Sequence, residues 1–262
     1  MLGRSEELES ILDMFEQDHR LITLTGPGGM GKTRIAEEIG RLLVYHGTYP
    51  GGIWFCDLVE ARTAADIVQT VANTLNCPVT TSIQHEEAVT QVGRGLSGLG
   101  AAFIVLDNFE QIAGFAHETV AIWSQIAPEI RFMVTSRQRL GLDEEQVFEL
   151  KPLSIEDGIA LFLDRARAIH PGFQSEGENE AILEDIVRSL EGIPLAIQLA
   201  SGRARLLSAK QIRDRLGKRF KLLRKGGGVP EGRQTTMRAA IDWSWNLLQS
   251  WEKATLAQCA IF

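Results

Sequence analysis

Cysteine is scarce in this sequence. Cys56, Cys77 and Cys259 are odd in number and far apart, with no C-x-x-C pair and no histidine at ligand spacing. A disulfide framework and a structural zinc site are therefore not what holds the fold together, and Cys56, inside the strand-like IWFCDL, reads as a small buried hydrophobe. Long apolar runs are also missing. No stretch approaches membrane-spanning length, and the opening MLGRSEELES has no signal-peptide core, so no membrane partner is expected and the chain should stay in the cytoplasm. A surplus of base is absent as well: 27 Lys and Arg face 34 Asp and Glu, a formal charge of -7. That balance argues against a surface built to grip nucleic acid. The basic run KRFKLLRK at 218–225 carries apolar residues at helical spacing and reads as a solvated helix end.

What is present is an ordinary globular composition, 44% hydrophobic and 23% charged, over 262 residues, enough for one large domain or two smaller ones. After an opening helix pattern, EELESILDMFEQ, short apolar runs alternate with amphipathic segments: LITLT, KTRIAEEIGRLLVYH, GGIWFCDL, AADIVQTVANTLN, EEAVTQVGRGLSG, AAFIVLDN, RFMVTS and QVFEL. Short β-rich runs separated by helices predict an α/β fold, a parallel sheet flanked by helices. From Ser154, a candidate N-cap, the pattern becomes wholly helical: SIEDGIALFLDRARAI, NEAILEDIVRSLEG stopped by Gly192 and Pro194, LAIQLASGRARLL and SAKQIRDRLGKRF. The glycine-rich RKGGGVPEGRQ reads as a linker, and two further helical patterns follow. The last one stops abruptly in apolar residues, so a longer protein is expected. The implied division is an α/β domain at 1–150, a helical domain at 151–225, and a linker with the start of another domain at 226–262.

The stretch LITLTGPGGMGKTRIAEEI joins a strand pattern to a helix pattern through a glycine loop, the arrangement that gathers phosphate. Gly26 to Gly31 fit the dinucleotide pattern G-x-G-x-x-G, and Asp57, closing the second strand pattern, stands where a ribose-binding acid would. Gly26 to Thr33 fit the triphosphate pattern G-x-x-x-x-G-K-[ST]. The second reading is favoured because Lys32 and Thr33 supply an ammonium for the β and γ phosphates and a hydroxyl for Mg²⁺, which the dinucleotide loop does not need. Pro27, Gly28, Gly29, Met30, Gly31 and Arg34 complete the expected phosphate-binding set. Asp107, ending FIVLD, is placed to hold the hydrated metal with Thr33. Thr135, Ser136 and Arg137 end another strand pattern, where a polar or cationic group could sense the γ-phosphate.

On these residues the chain resembles the STAND class of P-loop ATPases, in particular the NB-ARC-like bacterial members of signalling and transcriptional regulators. LGRSEEL at 2–8 is similar to that family's N-terminal motif, GPGGMGKT to its Walker A, FIVLDN to its Walker B and FMVTSR to its sensor 1. EGIPLAIQLA at 191–200 is similar to its G-x-P lid motif, and TTMRAAIDWSWNLL to the opening of its winged-helix domain. The resemblance implies that Gly3 and Arg4 lie near the adenine, that Pro194 packs on the base or ribose, and that Arg137 approaches the γ-phosphate. It implies ATP, ADP and Mg²⁺ as ligands, ADP locking a closed state and ATP permitting opening and homo-oligomer assembly, with effector and sensor domains in the same longer chain. One departure stands out. Many relatives carry an acid directly after the Walker B Asp, whereas this chain has Asn108, which predicts slow hydrolysis. Glu110 is then the candidate for orienting water, beside Lys32, Asp107 and Arg137 in the catalytic set. Two other functions compete: a transcription regulator whose winged helix reads DNA directly, and a constitutive ATPase. Tryptophans Trp243, Trp245 and Trp251 are expected in a core rather than a partner-facing patch.

Overall fold

The computed structural model describes residues 2–77, 79, 84–173, 179–216, 241, 245 and 250–259. The expected basic run at 218–225, the glycine-rich linker, Trp243 and most of the TTMRAAIDWSWNLL segment lie outside them. The chain divides into two compact units. One comprises Arg4–Gly26 and Gly31–Leu150; the other comprises Met1–Gly3, Pro27–Met30 and Lys151–Phe262.

The first unit is an α/β layer. Its strands are β1 (Leu21–Thr25), β2 (Ile53–Asp57), β3 (Phe103–Asp107), β4 (Arg131–Thr135) and β5 (Glu145–Glu149), in the spatial order β2-β3-β4-β1-β5. Every pairing is parallel. The interior strands β1 and β3 are buried at every position, as their unbroken apolar runs predict for a sheet covered on both faces. Helices α1 (Ser5–Glu16), α2 (Lys32–His46), α3 (Ala64–Thr74), α4 (His85–Gly98) and α5 (Val120–Ile126) supply the covering layers. Helix α3 starts at a capping box, Thr63 accepting from the Asp66 amide and Asp66 accepting in return. Helix α5 and two 3₁₀ turns between β3 and β4 had no counterpart in the sequence patterns. They centre on Trp123, which is fully buried and donates its indole N–H to the Val89 carbonyl at 3.0 Å. Cys56 is buried as expected, and burial pushes its thiol up to about 11.

The strand order decides between the two phosphate readings. In a dinucleotide-binding sheet β2 lies beside β1. Here β4 and β3 stand between them, so Asp57 ends a strand remote from the loop's own strand and the ribose reading is withdrawn.

The second unit is helical. Helix α6 (Ile155–Ile169) is capped by Ser154, whose hydroxyl accepts from the Asp157 amide at 3.0 Å, as the sequence predicts. Helix α7 (Asn179–Ser189) ends before Gly192, whose φ of +65° and whose approach to the Leu153 carbonyl exclude a side chain; a Cβ there would sit 2.5 Å from that oxygen. Helix α8 (Pro194–Ser201) begins with proline at its first position, where the missing N–H costs nothing. The expected helix over LAIQLASGRARLL is shorter than its pattern. After Ser201 the chain tightens into i→i+3 turns, Arg203 donating to Ala200 and Ala204 to Ser201, and helix α9 resumes at 209–216. Helix α10 (Ser250–Cys259) buries none of its residues, and Trp245 and Trp251 are exposed, so the core placement expected for the tryptophans does not hold for these two. Among the described residues no helix is long and apolar enough to cross a membrane.

Helices α6, α7 and α8 pack through Gly158. A Cβ at this position would lie 2.5 Å from Val187 Cγ1 and 3.3 Å from Ile197 Cδ1, both on buried, β-branched side chains with little freedom to yield. Gly158→Ala should therefore destabilise the helical unit by about 1–2 kcal/mol, overpacking outweighing the better helix propensity. A chemical-denaturation midpoint checks this.

Candidate nucleotide site

The loop from Gly26 to Gly31 leaves the C-terminal end of β1 and enters α2. Gly31 caps α2 with φ +92°, and Gly29 stands at φ +80°, both in the left-handed region that suits glycine. Gly28 is different. It is exposed, its φ is ordinary, and a Cβ built on it would meet nothing within 4 Å. The protein itself gives no reason for glycine there, whereas an anion seated on the loop amides would. Met30 is fully buried and anchors the loop, Pro27 is half-buried, and Arg34 points outward from the first turn of α2.

Lys32 and Thr33 open α2, and Asp107 ends β3. Lys32 Nζ donates to the Gly26 carbonyl at 2.8 Å, folding the ammonium back along the loop. Burial lowers its pKa; the Glu110 carboxylate raises it, Arg137 lowers it further, and Asp107 raises it. Asp107 is 2% exposed. Thr33 Oγ1 donates toward its two oxygens at 2.9 and 3.1 Å, Thr135 Oγ1 donates to Oδ1 at 2.5 Å, and Asn108 Nδ2 donates to Oδ2 at 2.9 Å. Among the described residues no cation pairs with it. Burial lifts the Asp107 pKa, against the hydroxyl hydrogen bonds of Thr135 and Thr33, and the charges of Asp57 and Glu110 lift it further. A buried carboxylate surrounded by neutral donors beside a helix-opening threonine is a donor set that fits a hydrated divalent cation.

The remaining predicted residues are distributed as follows. Arg137 is exposed at 59% and pairs through Nε with Glu110 Oε1 at 3.0 Å. Thr135 does not stand open as a γ-phosphate sensor, since its hydroxyl is spent on Asp107. Arg4 is not a solvated cation: its side chain is 1% exposed and pairs with Glu7 in the first turn of α1. Within the helical unit Gly3, at φ +64°, lies against Asp157, where a Cβ would come within 2.5 Å of the Asp157 Cβ. In that same unit the Leu195 amide, one residue after Pro194, donates to the Gly29 carbonyl at 3.2 Å, joining the start of α8 to the tip of the loop.

The sequence reading overlooked the partnership of Asp57 with Asn108. Register pairs Asp57 with Asp107 across β2 and β3, and Asn108 Nδ2 donates to Asp57 Oδ1 at 3.0 Å while also reaching Asp107. Asn108 adopts φ +65°, and its backbone N–H donates to Thr135 Oγ1 at 3.0 Å. The signal for this bridge was two strand-terminal polar residues, and only the strand order brings them side by side.

Residues 15–142 match a family model described as an AAA domain. An uncharacterized protein of Mycobacterium tuberculosis is 32% identical over 262 residues, covering all of this chain and 65% of that one. A second protein of that organism, which carries the provisional name of an HTH-type transcriptional regulator, is 34% identical over 245 residues, 93% of this chain and 27% of the relative. The chain thus spans less than two thirds of the length of either. Among solved structures, the Signal Transduction ATPase with Numerous Domains protein of Pyrococcus horikoshii, which has a tetratricopeptide repeat sensor, superposes with a TM-score of 0.56 at 16% identity, covering 100% of this chain and 35% of that one. The fold is that of the P-loop NTPases. The segment that matches the AAA-domain model carries the loop, Lys32, Thr33, Asp107 and Arg137.

The raised pKa of Asp107 makes a stability prediction. A carboxyl whose pKa is higher in the folded than in the unfolded chain opposes folding while it is charged, above the folded pKa, and that cost vanishes as the pH falls below the unfolded value. Without ligand, Asp107→Asn should therefore melt higher than the wild type at neutral pH, and the gap should close on acidification toward the ordinary carboxylate range. Thermal melts across pH read this directly.

Proposed function

We propose that this chain is an ATP- and ADP-binding regulatory switch with slow hydrolysis, the module that controls opening and assembly of a larger signalling protein of the STAND kind. The observation that carries the reading is the set of Lys32 on the loop, Thr33 at the start of α2 and the buried Asp107 carboxylate at 2.9 Å from the Thr33 hydroxyl. The loop amides and the N-terminal end of α2 would take the phosphates, with Lys32 as the ammonium that follows the charge of the β and γ groups. Mg²⁺, held by Thr33 and Asp107, would neutralise charge on the β and γ oxygens. Arg137, exposed and ion-paired with Glu110, would exchange that carboxylate for the γ-phosphate. Gly3, Arg4 and Pro194 remain the proposed base and ribose contacts.

Switching needs a ligand whose affinity differs between two states. The bond from the Leu195 amide to the Gly29 carbonyl supports such a link, because the loop that would hold phosphate is also the acceptor for the first turn of α8. The division at 1–150, 151–225 and 226–262 is part of the same proposal, and the boundary of the compact units at Leu150 supports its first cut. A second reading, a module of a transcription regulator, is favoured by the name of the 34%-identical relative. The two are compatible: the DNA-reading part would lie elsewhere in such a protein, and the charge of -7 gives this chain no bias toward DNA.

Isothermal titration with ATP and with ADP tests the assignment. Lys32→Ala should weaken ATP by at least tenfold, and Gly28→Ala should weaken both nucleotides while leaving the melting temperature of the free protein unchanged. Unaltered affinities in both variants would overturn the reading.

A further inference from the structure

Hydrolysis is helped by a group that orients the attacking water and accepts its proton, and the residue after Asp107 is an amide, which cannot accept that proton. Two carboxylates stand near it. Glu110 is engaged by Arg137 through an ion pair at 3.0 Å and is 18% exposed. Asp57 is exposed, and its Oδ1 accepts two hydrogen bonds, from the Val59 amide and from Asn108 Nδ2, both at 3.0 Å. Its Oδ2 has no hydrogen-bond partner among the described residues.

Asp57 also faces the right way. Register partners in a parallel sheet share a face, and the Asp107 side chain meets Thr33 of α2, so the Asp57 side chain projects on the α2 side. Two further residues of β2 with the same parity, Ile53 and Phe55, line a groove of about 410 Å³ with Ala36, Gly40 and Val44 of α2, which fixes that face independently. The pairing is held at its end by the Leu58 amide donating to the Asp107 carbonyl at 3.0 Å. Asn108, pinned through its backbone to Thr135 and through its amide to both acids, leaves the two carboxylates little freedom to separate.

We propose that Asp57 is the catalytic carboxylate that orients the attacking water in ATP hydrolysis, and that Asn108 is the positioning residue that aims it. The acid would then sit at the end of β2, with the amide after Asp107. In the step, the water oxygen bonds to the γ-phosphorus, the bond from that phosphorus to the β,γ-bridging oxygen breaks, and ADP leaves with the electron pair. The water proton passes to Asp57 Oδ2 and then to solvent. This inference rests on the nucleotide reading above, and its test separates the two.

The experiment measures single-turnover release of phosphate from γ-labelled ATP with Mg²⁺, over hours, alongside calorimetric ATP affinity and melting temperature. Asp57→Asn is nearly isosteric and keeps an oxygen for Val59 and Asn108. It should lower the hydrolytic rate constant by about 100-fold, with ATP affinity within threefold of wild type and melting unchanged. The exchanged double variant, Asp57→Asn with Asn108→Asp, restores a carboxylate across the same bridge and should recover at least tenfold of that loss, which a merely structural role for Asp57 would not produce. Wild-type rates in Asp57→Asn, a larger loss in Glu110→Gln than in Asp57→Asn, or a wild-type protein that binds ATP and releases no phosphate would each overturn the proposal while leaving nucleotide binding intact. A wild-type protein that binds no ATP would instead remove the nucleotide reading beneath it, and this proposal with it.

Discussion

The Asp107 carboxylate is the constraint around which the sheet unit is arranged. It is charged chemistry placed where a charge is costly, 2% exposed, and met by two hydroxyls and one amide with no cation among the described residues. Each neighbour is there because the fold brings a strand end or a helix start to it: Thr33 from α2, Thr135 from β4, Asn108 from the residue just past β3. That requires β4 between β1 and β3, and it requires the chain to turn sharply out of β1 into α2, with Gly29 and Gly31 at positive φ. A site that opposes folding when empty is relieved by the ligand it is shaped for, so the same residues that lower stability raise affinity.

Much of this was legible from the chain because it is local. The interior strands announce themselves as short, mostly apolar runs, and the loop glycines, Lys32 and Thr33 fall at a spacing whose chemistry is nearly unique. Ser154 and Pro194 behave as the cap and the first residue their types favour. What failed was non-local. The disfavoured dinucleotide reading could lean on Asp57 as a ribose acid because sequence places it at the end of the second strand without saying which strand lies beside it; in the observed order it belongs to the Asp107 neighbourhood. Thr135 reads as a sensor by position, yet its hydroxyl is already committed.

The helical unit contributes a different kind of constraint. The loop tip Pro27–Met30 belongs with it, and the Gly29 carbonyl accepts from the first turn of α8. Proline opening that helix leaves the next amide, that of Leu195, as a donor with a fixed approach, which is why the G-x-P motif has a structural meaning before any ligand is considered. On the proposed reading, occupancy of the loop and the state of this helix are linked through one backbone hydrogen bond, a small and specific coupling for a switch to use.

The central claim is that polyphosphate charge gathers on the loop amides and Lys32, with a cation between Thr33 and Asp107. A crystal structure with Mg²⁺ and a non-hydrolysable ATP analogue tests it most directly. The account predicts phosphate oxygens within hydrogen-bond distance of the amides from Gly28 to Thr33 and a metal joining the Thr33 hydroxyl to Asp107. An analogue bound elsewhere, or a nicotinamide or flavin dinucleotide occupying the loop in its place, would contradict it.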